Sequence, residues 1–216
     1  MPLIEALRSR PREMLLCTGI AFGYVTIAYI GSTFFLAYAT QIGYGSTEAL
    51  LFDVSLSIAI VITAPLFAAL SDRIGRRTVM ILGAALMAVG FFAFFAVMGL
   101  HNLPLSCAAY VMVGALMGAT QGPIPAFLAE QFPRGMRYSG MSAAYQIGAA
   151  LGGGTASSIA TGILIASGNN AYGVALYGTF ALGIVALCSY LLRETAPLSM
   201  AEIDDDGWSP VSCPTA

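Results

Sequence analysis

What most constrains this chain is a set of six apolar runs, at residues 14–39, 52–70, 79–100, 105–129, 141–166 and 172–192, within which Asp53 is the only charged residue. About 20 apolar residues in a helix cross the hydrocarbon core of a bilayer, and in lipid only helices and closed barrels satisfy every backbone N–H and C=O. A barrel strand needs only about 10 residues of strict alternation, which these runs lack. The sequence therefore predicts an all-α polytopic membrane protein with six transmembrane helices. Composition agrees, with 58% hydrophobic and 9% charged residues, against roughly 25% charged in a soluble domain.

The first run follows Arg8, Arg10 and Arg12 and contains Ala37-Tyr38-Ala39, a cleavage-like triplet. It is longer than the ~7–15 residues of a signal h-region, so it reads as a retained helix. Three segments result: a linker over 1–13, a six-helix domain over 14–193 and an acidic tail over 194–216 with Glu202, Asp204, Asp205 and Asp206.

Lysine is absent, and the nine arginines set the orientation. Arg8, Arg10 and Arg12 precede the first run; Arg73, Arg76 and Arg77 follow the second; Arg134 and Arg137 follow the fourth; Arg193 follows the sixth. The connectors at 41–51, 101–104 and 167–171 have none. Arginine marks the cytoplasmic side, so both termini are expected there, in the inner membrane.

Chemistry other than passage across the membrane finds little support. The chain has one histidine, His101, in an outer connector, no nucleophile elbow and no phosphate loop. Four scattered cysteines form no C-x-x-C pair. No catalytic residue, metal ligand or cofactor is expected. A formal charge of -2 gives no nucleic-acid footprint.

Polarity separates the runs. The third has no hydroxyl, amide or charge and carries Phe91, Phe92, Phe94 and Phe95, as suits a lipid-facing helix. The first carries Tyr24 and Tyr29; the fourth carries Tyr110 and Gln121, with Pro123 and Pro125 breaking its second half; the fifth carries Tyr145 and Gln146. Such groups serve either to line a cavity or to bond between helices, and both readings stand for each residue. Gly148, Gly152, Ala156 and Ala160 recur every four residues, a stripe that admits another helix backbone, whether as a fixed contact or as a sliding face. Asp53, at the start of the second run, reads as a helix cap.

Between the second and third runs the chain reads A-x-x-x-D-R-x-G-R-R from Ala68 to Arg77. This resembles the G-x-x-x-D-[RK]-x-G-[RK]-[RK] signature of the major facilitator superfamily, with Ala68 in place of the first glycine. Gln121 to Pro133, Arg137-Tyr138-Ser139-Gly140, Tyr145 to Gly148 and Gly152-Gly153-Gly154 together resemble its metabolite:proton symporter family. The resemblance implies the second six-helix half of a twelve-span secondary transporter, built of two inverted three-helix repeats. By it, the first and fourth spans line the cavity, the second and fifth gate it, and the third and sixth support them.

Expected partners are a small-molecule substrate such as an organic acid or osmolyte, protons, the bilayer, and a missing N-terminal half or a second copy. A membrane interaction module that keeps the fold without transporting is the other reading. Substrate-pathway candidates are Tyr24, Tyr29, Tyr110, Gln121, Tyr145 and Gln146. Gating candidates are Asp72, Arg73, Gly75, Arg76, Arg77, Glu130 and Arg137. Asp72 is expected to latch onto the start of the fifth span, near Ser139 to Met141, and Arg73 or Arg77 to pair with Glu130. The coupling acid is expected in the other half, because the middles of the first, fourth and fifth runs hold no ionisable group.

Overall fold

A computed structural model describes residues 9–168 and 170–194, and all the regular structure among them is helical. Six helices are long and apolar enough to cross a membrane. The first, Pro11–Gln41, consists of α1 (Pro11–Tyr29), a π-helical stretch over Ile30–Phe34 and α2 (Phe35–Gln41). The second and third are α3 (Ser46–Ile74) and α4 (Arg76–Met98). The fourth, Leu103–Glu130, is broken into α5 (Leu103–Gln121) and α6 (Ile124–Glu130). The fifth is α7 (Arg137–Ala166) and the sixth α8 (Tyr172–Leu191). The acidic cluster of the tail lies outside the described residues.

Local chemistry sets the helix ends. Pro11 occupies the first turn of α1, where its missing N–H costs nothing. Asn102 Oδ1 accepts from the Leu105 amide at 3.3 Å at the start of α5. At the start of α3 it is Glu48, not Asp53, that acts: its carboxylate accepts from the Gly45 amide at 2.9 Å. The helix begins at Ser46, well over a turn before the apolar run, which leaves Asp53 beyond capping range. Gly75 separates α3 from α4 at φ +112°, a region that favours glycine.

The packing repeats itself in inverted form. The first span packs mainly on the fifth and the sixth; the fourth packs mainly on the second and the third; the third and sixth pack on each other. Exchanging first with fourth, second with fifth and third with sixth maps this set of pairs onto itself. The first span starts at the arginine-bearing end and the fourth at the opposite end, so the two three-helix repeats are inverted. Their lead helices share a plan. α1 and α5 are each 19 residues, α2 and α6 each 7, and an irregularity separates the pair in each span, a π-helical stretch in the first and a break in the fourth.

Glycine permits the close pairs. A Cβ on Gly148 would fall 2.6 Å from the Thr18 carbonyl oxygen, so α7 rests backbone to backbone on α1. A second stripe, Gly114, Gly118 and Gly122, does the same for α5 on α3. A Cβ on Gly122 would lie 2.9 Å from the Ala68 amide nitrogen. Where the signature has a glycine this chain has Ala68, and the small residue at that crossing is supplied by the facing helix.

The third span does not simply face lipid. Phe91, Phe94 and Phe95 are buried, Phe94 stacks on Phe35 with ring centroids 4.0 Å apart, and only Phe92 remains exposed. A helix contact inside the bundle is as apolar as lipid, so the absence of polar groups does not separate the two. The second and fifth spans are the least covered, α3 showing Leu51, Val54, Ile58, Val61 and Leu66 at its surface.

Candidate functional site

Two sites emerge, one of charge and one of cavity. The charged site gathers at the arginine-bearing end, where Gly75 turns the chain from α3 into α4. Arg76 Nη1 lies 2.7 Å from Glu130 Oε1, with both side chains largely buried, at 13% and 5% exposed. Arg76 Nη2 also donates to Asp72 Oδ1 at 3.1 Å, one helical turn back. One guanidinium thus joins the ends of the second and fourth spans.

This differs from the expected pairing in two respects. Glu130 meets Arg76 rather than Arg73 or Arg77, because Gly75 breaks the helix and α4 restarts with Arg76 turned inward. Arg73 is exposed, and Arg77 lies over the Tyr190 ring, 4.3 Å from its centroid. Asp72 is 61% exposed and bonds Arg76, not the start of α7. Arg137 braces the turn before α7 by donating from Nε to the Phe132 carbonyl at 3.0 Å.

Sequence reasoning missed Glu194. Its carboxylate accepts from the backbone amides of Arg76 and Arg77, each at 3.0 Å, and so caps the third span from beyond the end of the sixth. An anion at these exposed amides also meets the positive end of the helix dipole. The arginine cluster draws attention to its side chains, while the contact is to its main chain across more than a hundred residues. Nearby, Gln131 Nε2 donates to the Arg193 carbonyl at 3.2 Å, tying the fourth span to the same segment.

The second site is a cavity of about 170 Å³ lined by Tyr24, Gln121, Ile124, Pro125, Leu128, Met141 and Tyr145. The break between α5 and α6 forms one wall, with Gly122 and Pro123 interrupting the helix there. Broken helices at membrane depth are found where they border a cavity or other protein. Tyr24 comes from α1 and Tyr145 from α7, and with Gln121 they make three candidate pathway residues that converge here.

The other three stand elsewhere. Tyr110 is wholly buried, and its hydroxyl donates at 3.0 Å to the Phe35 carbonyl at the end of the π-helical stretch. It bonds α5 to the start of α2, an interhelical role. Tyr29 is 47% exposed, with its ring over Gly153, and Gln146 is exposed on α7 outside the cavity lining. Gly148, Gly152, Ala156 and Ala160 are all buried, the glycines against α1.

Known proteins share this pattern. The model of the Major Facilitator Superfamily matches residues 15–212. The inner membrane metabolite transport protein YhjE of Escherichia coli is 30% identical over 93% of this chain and 46% of its own length. The shikimate transporter of Escherichia coli is 28% identical over 90% of this chain and 45% of its own, and its proline/betaine transporter 25% over 86% and 37%. The chain thus spans less than half the length of these relatives, which are transport proteins and not enzymes. Helical pairing, signature and relatives agree: the chain is a multi-pass membrane protein and belongs to the Major Facilitator Superfamily.

Proposed function

We propose that this chain is one six-helix half of a secondary transporter that carries a small metabolite, an organic acid or osmolyte, by alternating access coupled to protons. The observation that carries this reading is the Tyr24, Gln121 and Tyr145 cavity at the break of the fourth span. Its lining is mostly apolar, with Tyr24, Gln121 and Tyr145 as the residues that carry polar groups for a hydrophilic solute, and it is walled by one half only. A second six-helix body, supplied by another chain or a second copy, would complete it. The exposed apolar faces of α3 and α7 are the surfaces such a body would cover. Relatives named for shikimate and for proline and betaine support the solute class.

Arginine distribution supports cytoplasmic termini and an inner-membrane location, with 1–13 as linker, 14–193 as membrane domain and 194–216 as tail. Under that orientation Asp72 ends the least covered span with its carboxylate exposed. On this reading its exposed carboxylate meets the second body. A contact made only while the cytoplasmic side is closed biases the transporter outward-open.

The test is uptake into vesicles. With a second body present, shikimate, proline or betaine enters under an inward proton gradient, and Gln121→Ala slows entry about tenfold. The chain reconstituted alone gives no uptake. Gradient-driven uptake by dispersed single copies would refute the half-transporter reading.

A further inference from the structure

A cleft of about 290 Å³ at the arginine-bearing end takes no part in the solute cavity. It opens where the starts of α1 and α4 meet the ends of α6 and α8. Four of its lining residues are arginines, Arg10, Arg12, Arg77 and Arg193, and two are acids, Glu13 and Glu130. Glu130 is already engaged by Arg76 at 2.7 Å, and Glu13 stands 4.0 Å from Arg10. Arginines therefore outnumber acids among the lining residues, and Arg12 Nη2 also reaches the Leu191 carbonyl at 3.5 Å.

Apolar side chains share the cleft. Leu16, Leu191 and Leu192 line it beside the Tyr190 ring on which Arg77 lies. Arginines beside apolar side chains, where membrane helices begin and end, suit a ligand with a compact polyoxygen anion next to hydrocarbon. A carboxylated solute needs no such apolar neighbours.

We propose that this cleft binds a phosphate-bearing anion, whose source is either the headgroup of an anionic phospholipid or free phosphate. The cleft lies within one six-helix body, so the site is independent of any second half. Bound phosphate would link α1, α4 and the segment after α8 through one charge. That would hold the ends of the first, third and sixth spans together, beside the Glu194 cap that also joins the sixth to the third.

The test uses the whole chain in mild detergent and in nanodiscs, with phenylglyoxal modification of Arg12 and Arg193 mapped by mass spectrometry. At constant ionic strength, protection by inorganic phosphate supports the site with free phosphate as its source. Protection in phosphatidylglycerol but not phosphatidylcholine nanodiscs supports it with the lipid headgroup as its source. In either case the melting temperature should rise by ~2–4 °C, and the rise should vanish in Arg12→Gln/Arg193→Gln. Protection by neither probe overturns the proposal. So does protection that appears only after removal of 195–216, which would assign the cleft to the chain's own acidic tail. The modification readout needs no variant, so a misfolded double mutant leaves the proposal testable.

Discussion

Arg76 Nη1 stands 2.7 Å from Glu130 Oε1 where the chain enters its third span, and the pair joins that point to the end of the fourth. Removing one partner leaves a charge with little access to water. Glu130→Gln or Arg76→Met should each cost on the order of 3 kcal/mol. The double variant Arg76→Met/Glu130→Leu should cost clearly less than the sum of the two. Denaturation in mixed micelles measures this as a double-mutant cycle. Additive losses would show that the two side chains do not act as a pair.

Asp72→Asn provides the contrast. The same guanidinium bonds a carboxylate that is 61% exposed, and such pairs contribute at most about 1 kcal/mol. Stability should barely change. If the carboxylate instead meets a second body, the variant in the assembled transporter should raise cytoplasmic accessibility and lower uptake. A large loss of stability in the isolated chain would assign Asp72 to this half alone.

Glu194 caps α4 from a distance, and its removal isolates that contribution. Glu194→Ala should cost about 1–2 kcal/mol as a lost cap, with Glu194→Gln intermediate, because an amide oxygen still accepts but carries no charge. Gly75→Ala should destabilise as well. Its φ of +112° disfavours any side chain, and the new Cβ would fall 2.9 Å from Glu194 Oε2. Thermal melts in one detergent rank the three; an unchanged Glu194→Ala would remove the cap from the account.

The six helices were legible because bilayer thickness dictates the length of an apolar run, and arginine placement exposed their alternation. Helix phase was not legible. Arg73, Arg76 and Arg77 look equivalent in a short connector, and only the break at Gly75 turns Arg76 toward Glu130. Tyr24 and Tyr110 likewise differ only in the face they occupy, one in the cavity lining and the other committed to the Phe35 carbonyl. The Gly114, Gly118 and Gly122 stripe was available by the same four-residue spacing that revealed Gly148 and Gly152. Glu194 was not available, since nothing local links it to residues 76 and 77.

The glycines of α7 allow a paired comparison. A Cβ at Gly148 meets the Thr18 carbonyl at 2.6 Å, and one at Gly152 meets the Phe22 carbonyl, whereas one at Gly154 meets nothing within 4 Å. Gly148→Ala and Gly152→Ala must push α7 off α1 and should cost ~1–3 kcal/mol each. Gly154→Ala should be neutral or stabilising by up to about 1 kcal/mol through helix propensity. Melting temperatures of the three decide it, and equal effects would mean that α7 does not rest on α1 through this stripe.

Gln121 and Tyr110 separate solute contact from scaffold. Gln121 lines the cavity on the broken fourth span, so Gln121→Ala should keep the melting temperature within a degree or two of wild type. In an assembly containing the second body, losing its hydrogen bond to a polar solute should lower uptake about tenfold, a change of ~1.4 kcal/mol. It should act mainly through KM if the contact is present throughout binding. Tyr110→Phe removes the hydroxyl that satisfies the Phe35 carbonyl and should cost about 1–2 kcal/mol of stability. Uptake per folded molecule should remain near wild type, because Tyr110 is absent from the cavity wall. The pair is read by measuring initial uptake rates beside thermal melts on the same preparations. If Tyr110→Phe alters KM while Gln121→Ala does not, the solute path runs along the aromatic core and not through the cavity at the break.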